Sequence, residues 1–318
     1  MIFLSYQNSI TIYLASKFKL FFNHFVIVAK RKSRLIFEGE YVNDEKNGKV
    51  KEYDSKGKLI FEGYYVHDKK NGIGKEYKND EIIFEGEYIN DKRWNGKGKE
   101  YDYKDLLLYE GNYLNGEKFI GYSKVYEEYT GKLMIEGEFL NGKKNGHIKE
   151  YDWHGNLIFE GEYLNGEKNG KGKEYNSDGV LIFDGEYKND KYNGTGIEYY
   201  GNSKIKYSCE YLDNKWNGQG KEYYDNDKIL YSGEFLDDKW NGQGKEYYDN
   251  GKIKYSGEFL DSNWNGTGNE YYENGKIKYS GEFLDGNWNG QGIEYYDNGR
   301  IKRKEDFLNG NKIKNKKK

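Results

Sequence analysis

The chain has 318 residues, 35% hydrophobic and 33% charged, with 42 glycines, no proline and a single cysteine, and its mean hydropathy is −1.11. Such polarity excludes a thick globular core, while 35 Tyr, 16 Phe and 6 Trp exclude ordinary disorder, which is poor in aromatics. The net charge of −3 divides into +6 over residues 1–34, +7 over residues 300–318 and −16 between them, so basic ends flank an acidic body.

The leader, residues 1–34, is rich in Phe, Ile, Leu and Tyr and ends in Lys30, Arg31, Lys32 and Arg34. An apolar segment with a basic flank has the look of a membrane anchor. Lys17, Lys19, Asn23 and His24 interrupt it, however, and the unbroken run from Phe25 to Ala29 is far shorter than the roughly 20 residues a spanning helix needs. The expected role is a cap over the first strand of the main body, or a poorly ordered leader; an anchor is the alternative. A cleaved signal is disfavoured, since no basic start or small-residue cleavage site is present.

Residues 35–299 form a repeat. The word E-G-E-aromatic, or a variant, is centred on Gly39, Gly63, Gly86, Gly111, Gly137, Gly161, Gly185, Gly233, Gly257 and Gly281, and Cys209 fills the missing slot. In Leu157 to Gly166, LIFEGEYLNG, the residues Leu157, Phe159, Gly161 and Tyr163 share one face at strand periodicity. The glycine between two aromatics leaves room for rings to lie over the backbone. A second strand is expected from Gly170 to Tyr175, after the polar turn NGEKNG, and an Asn-Gly or Asp-Gly turn such as Asn250-Gly251 leads into the next copy. One hairpin is marginal in water. Stacked hairpins align their aromatics and gain stability from their neighbours, which makes the expected fold all-β: an elongated, solenoid-like ribbon of stacked antiparallel hairpins.

These words, F-E-G-E-Y, K-N-G-K-G and E-Y-Y-x-N-G, resemble the MORN repeat in its variant form, over residues 35 to about 308. Phe159, Gly161 and Tyr163 match its aromatic-Gly-aromatic signature, and Gly170 and Gly172 its paired glycines. The resemblance implies stacked β-hairpins serving as an interaction or scaffolding module, sometimes near membranes. Departures are Cys209 at a signature glycine, Ile120-Gly121 in place of Asn-Gly, and Glu305 in a degenerate last copy.

One slot varies sharply. Before each Asn-Gly stand Lys46, Lys70, Trp94, Phe119, Lys144, Lys168, Tyr192, Trp216, Trp240, Trp264 and Trp288. The last five are aromatic. Ile158 and Ile182 become Lys254 and Lys278 in step with them, and Glu160 becomes Ser256 and Ser280. Either the indoles pack on the next turn and replace apolar area lost elsewhere, or Tyr192, Trp216, Trp240, Trp264 and Trp288 form an aromatic edge about 10 Å per copy that docks a partner.

The residues of catalysis and metal binding do not assemble in the sequence. His24, His67, His147 and His154 are scattered, so no metal site is expected. Cys209 lacks a histidine partner and cannot build a disulfide framework, which fits a reducing, cytoplasmic setting. The glutamates Glu174, Glu198, Glu222 and Glu246 recur from copy to copy, and a catalytic site is one asymmetric constellation rather than a column. No phosphate loop or calcium loop is present. Neither an enzyme activity nor a cofactor is expected.

The C-terminal segment 300–318, a degenerate copy with the tail KIKNKKK, is a solvated end that discourages edge-to-edge aggregation. Taken together, these features describe a non-catalytic scaffold with a protein partner on the aromatic edge. The rivals are association with an anionic membrane surface through the basic ends, an antitoxin-like role, and an aromatic cage of the kind found in choline-binding repeats. Nucleic acid is disfavoured, because the acidic body would repel it.

Overall fold

The computed structural model describes the backbone of residues 2–6, 10–15 and 24–31 and the chain from residue 34 to residue 313. The side chains of the leader, and the tail beyond Ile313, lie outside the described residues. Every regular element among the described residues is a β-strand, and within each unit the paired strands run antiparallel, each against its neighbour in sequence. The chain divides into two compact units, Met1–Gly146 and His147–Lys318.

In the first unit the leader strands Ile2–Tyr6, Ile10–Ala15 and His24–Arg31 pair in sequence and join Arg34–Val42, the first strand of the array. Hairpins then succeed one another through Leu59–Val66, Lys69–Lys78 and Leu107–Leu114. The core is a column of rings: Phe37, Phe61, Phe84 and Tyr109 from one strand position, and Tyr65, Tyr88 and Tyr113 from another. Phe61 meets Tyr65 of its own hairpin and Tyr88 of the next, both edge to face, with centroids 5.7 and 5.5 Å apart. Each such pair adds about 0.5–1.5 kcal/mol beyond its buried area.

The second unit repeats the plan with Phe159 and Phe183 at the first position and Tyr163 and Tyr187 at the second, and from Tyr231 onward the ring types are exchanged. Tyr231, Tyr255 and Tyr279 now occupy the first position and Phe235, Phe259 and Phe283 the second, with Tyr231 edge to face on Phe235 and Phe259 at 5.2 and 5.1 Å. The expected space over the glycine is used directly. A Cβ on Gly233 would come 2.5 Å from Tyr231 Oη, and that hydroxyl instead donates to the Glu234 carbonyl at 2.9 Å.

Two details of the hairpin differ from the sequence reading. The turn is only two residues long, such as Asn165 and Gly166 with φ of 54° and 99° or Asn189 and Asp190 with 51° and 64°, and positive φ at both positions matches the twist of antiparallel strands. The second strand therefore starts at Glu167, not Gly170. Asn169-Gly170 is no turn; it lies inside that strand at a bulge, where the register shifts between Gly161 and Tyr163 and Gly170 takes φ of 105°.

The last copy forms as well. Ile301–Leu308 pairs with Asn287–Tyr295 and sets Glu305 against Gly292. Arg303, in the place of the core tyrosine, sits 5.7 Å from the Phe307 ring centroid and pairs with Glu294, which ends the aromatic column in a charge cluster.

Candidate functional site

The variable slot lies two residues after each hairpin turn, on the core face, where it covers the first ring of its own copy. In lysine copies the side chain bends over that ring: Lys46, Lys70 and Lys168 Nζ lie 4.9, 4.3 and 4.1 Å from the centroids of Phe37, Phe61 and Phe159. Each ammonium also donates to the glutamate six residues on, at 2.6 Å for Glu52, 2.8 Å for Glu76 and 2.5 Å for Glu174. A cation over a ring and an ion pair thus close one site.

In the aromatic copies a ring replaces the ammonium. Tyr192 stacks on Phe183 at 3.7 Å and 12°. Trp240, Trp264 and Trp288 lie flat on Tyr231, Tyr255 and Tyr279 at 4.4, 4.6 and 4.4 Å, within 3–7° of parallel. The polar contact moves back one copy: Trp216, Trp240, Trp264 and Trp288 Nε1 donate to Glu198, Glu222, Glu246 and Glu270 at 3.1, 3.0, 2.8 and 2.8 Å. Tyr192 Oη does the same to Glu174 at 2.8 Å. The glutamate column is therefore an acceptor array inside the fold, and the exchange of lysine for tryptophan swaps a cation–ring stack for a ring–ring stack.

The residues that vary together now have a common cause. Where tryptophan replaces the slot lysine, the glutamate would lose its cation. Lys254 and Lys278 restore it, donating to Glu246 and Glu270 at 2.6 Å each. Their ammonium groups also lie 5.5 and 5.7 Å from the centroids of Trp264 and Trp288, so the indole at those two copies already faces a cation of this chain.

Cys209 disturbs this order. Its Cβ occupies the space that the glycine leaves for a tyrosine hydroxyl, and Tyr207 Oη turns instead to Glu222, 3.1 Å away. The Tyr207–Trp216 pair is tilted by 35° where its neighbours are parallel. The cysteine itself is buried, and burial pushes its thiol up to about 12.

Two early copies fill the slot with a different residue from the one expected. Tyr88 pairs with Arg93 and Tyr113 with Lys118, as Tyr65 pairs with Lys70. Arg93 sits 4.9 Å over Phe84 and pairs with Glu76, and Lys118 sits 5.0 Å over Tyr109 and 2.6 Å from Glu100. Trp94 and Phe119 do not hold the slot.

The five aromatics from Tyr192 to Trp288 share one edge of the second unit, one per copy, each half-buried. Sequence reasoning missed the row beside them. Leu212, Leu236, Leu260 and Leu284, next to the same hairpin turns, are 53, 49, 50 and 44% exposed. The alternation of the strand puts them on the opposite face from the rings, which is the signal that could have found them. Across that other face runs an open polar groove of about 930 Å3, lined by Ser232, Ser256, Ser280, Gln243 and Thr267. Among the described residues, no group of three His, Cys, Asp or Glu side chains is placed to hold a metal, and no helix is long and apolar enough to cross a membrane. His147 contacts Glu160 at 3.2 Å.

Comparison with known proteins bears on the repeat itself. The MORN repeat matches residues 61–81, 136–147, 159–180, 183–204, 231–253 and 279–299, and the MORN repeat variant matches 46–67, 216–237 and 264–285, together more than half of the chain. No curated protein matches it. Similar solved structures include the crystal structure of TcdB2-TccC3-TEV, 13% identical over 90% of this chain with a TM-score of 0.18. Another is the Photorhabdus luminescens Tc holotoxin pore, 13% identical over 87% of this chain with a TM-score of 0.19. This chain spans 17% of the length of each.

Proposed function

Since this chain belongs to the MORN repeat family, whose arrays commonly serve as protein- or membrane-interaction scaffolds, we propose that it is a non-catalytic scaffold that holds a protein partner on the edge carried by Tyr192, Trp216, Trp240, Trp264 and Trp288. The observation that carries this reading is the run of five half-exposed aromatics in consecutive copies, each held rigid by a stack beneath it and a hydrogen bond to a glutamate. Rigid, partly exposed aromatics contribute contact area at little entropic cost. The exposed leucines at the same hairpin ends offer further apolar area on the opposite face.

The test is capture of partners from the native cell by the full chain and by Trp240→Lys/Trp264→Lys. Lysine is native to the slot in other copies, so the variant is expected to fold, as circular dichroism would verify. Loss of a partner that the parent captures supports the edge. Undiminished capture by a folded variant overturns it, and flotation with anionic vesicles that salt reverses would favour the membrane reading instead.

A further inference from the structure

The position ten residues before Trp216, Trp240, Trp264 and Trp288 holds lysine three times and another residue once. At Trp216 its Lys206 lies over the Tyr207 ring, while Glu198 accepts from Tyr211 Oη at 2.9 Å and Trp216 Nε1 at 3.1 Å. At Trp264 and Trp288 the companion is Lys254 or Lys278, and each glutamate takes an ammonium on one oxygen and an indole N–H on the other. At Trp240 the equivalent position is Leu230. Glu222 consequently accepts only from neutral donors, Trp240 Nε1 at 3.0 Å and Tyr207 Oη at 3.1 Å. It is half-buried, whereas Glu246, Glu270 and Glu294, which all have a lysine, are buried at 9, 8 and 6% exposure. Lys206 is the cation whose field reaches Glu222, and its ammonium lies over the Tyr207 ring at 5.2 Å rather than on the carboxylate.

A carboxylate offers about four lone-pair directions, so two donors leave Glu222 with capacity to spare. Trp240 likewise lacks the ammonium that Trp264 and Trp288 carry. We propose that Glu222 and Trp240 form a receptor for one primary ammonium group, the lysine side chain of a protein partner, seated as Lys254 is seated on Glu246 and Trp264. The copies of the same site that do have their lysine show the bound geometry: Nζ 2.6 Å from a glutamate oxygen and 5.5–5.7 Å from the indole centroid. A primary ammonium fits because the contact is a donated N–H, which a quaternary ammonium cannot make. This inference rests on the edge-docking reading and names the group that the edge anchors.

The experiment uses the full chain with its indole nitrogens labelled and titrates n-butylammonium chloride, with sodium chloride and tetramethylammonium chloride at matched ionic strength. The expected result is a saturable shift of the Trp240 indole N–H resonance with n-butylammonium alone, absent at Trp264 and Trp288 and abolished by Glu222→Gln and by Leu230→Lys. Leu230→Lys supplies the missing lysine from within and keeps the fold type of the next copies. No saturable shift, equal shifts at all three indoles, or a shift that survives Leu230→Lys overturns the receptor. Partner capture separates the two readings. If Trp240→Lys/Trp264→Lys loses the partner while Leu230→Lys keeps it, the edge stands and the lysine anchor falls. If n-butylammonium binds at Trp240 but the edge variant keeps its partner, the docking edge and the partner's lysine anchor both fall, and what remains is an ammonium site that the partner does not use.

Discussion

Trp264 lies on Tyr255 with 4.6 Å between centroids and 5° between planes, in the place that Lys168 takes over Phe159 at 4.1 Å. Trp264→Ala removes the stack and the indole hydrogen bond to Glu246, and should cost about 2–3 kcal/mol. Trp264→Lys should cost less than half as much, since an ammonium can re-cover the ring. Urea midpoints of the two variants check this; equal losses would mean that the slot is not a stacking site.

The displaced Tyr207 hydroxyl makes Cys209 a local fault rather than a reactive centre. Cys209→Gly should change stability by no more than about 1 kcal/mol, relief of crowding offsetting the greater freedom of glycine. Cys209→Leu should cost about 2–3 kcal/mol through overpacking. With its thiol buried and pushed up to about 12, Cys209 should react with a thiol reagent only as fast as the surrounding hairpins open. Rapid modification of the native chain would contradict this placement.

Two glutamates at the same repeat position, Glu222 in the second unit and Glu76 in the first, should respond to pH with opposite sign. Burial raises Glu222 above the ordinary 4.5, and Trp240, Tyr207 and the field of Lys206 offset this only in part. Its contribution is fully present below 4.5 and is lost as pH rises through the raised value, so Glu222→Gln should gain on the parent as pH rises through that window. For Glu76, burial also pushes upward, but Lys70 and Arg93 outweigh it and hold the carboxyl below 4.5. That contribution is present above 4.5 and is lost as pH falls through the depressed value, so Arg93→Ala should cost more near neutrality than in strong acid, where only its cover of Phe84 and its bond to the Lys99 carbonyl remain to be lost. Denaturation midpoints across pH distinguish the two.

A second ladder explains the paired tyrosines of the later copies. Tyr224, Tyr248 and Tyr272 Oη donate to the carbonyls of Tyr247, Tyr271 and Tyr295 at 2.9, 2.8 and 2.9 Å. Tyr248→Phe should cost about 1 kcal/mol, the net worth of one such bond. Tyr296 is 48% exposed and makes no such bond among the described residues, so Tyr296→Phe should be neutral in the same melt.

The strand faces, the aromatic-Gly-aromatic core and the repeat period were legible in the sequence, because period-two alternation and a recurring glycine leave few other folds open. The slot in the third and fourth copies was not. At a bulge two residues oppose one, so parity along the string no longer tells which side chain faces the core; Arg93 and Lys118 win that position over Trp94 and Phe119. The tie between Lys254 and Glu246, or between Trp264 and the same glutamate, spans 8 and 18 residues across such bulges. Only the joint change of isoleucine to lysine with lysine to tryptophan hinted at it.

In the 24-residue copies the contacts between copies recur at fixed sequence separations: 18 residues from indole to glutamate, 23 from tyrosine hydroxyl to carbonyl, and 22 from a backbone N–H such as that of Trp216 to the turn aspartate Asp238. A gene that gains or loses one whole copy preserves all three distances at the new junction, while a gain of a few residues breaks them together. Length in this molecule is therefore heritable in steps of one copy, and each added step brings with it a complete set of bonds to its neighbours.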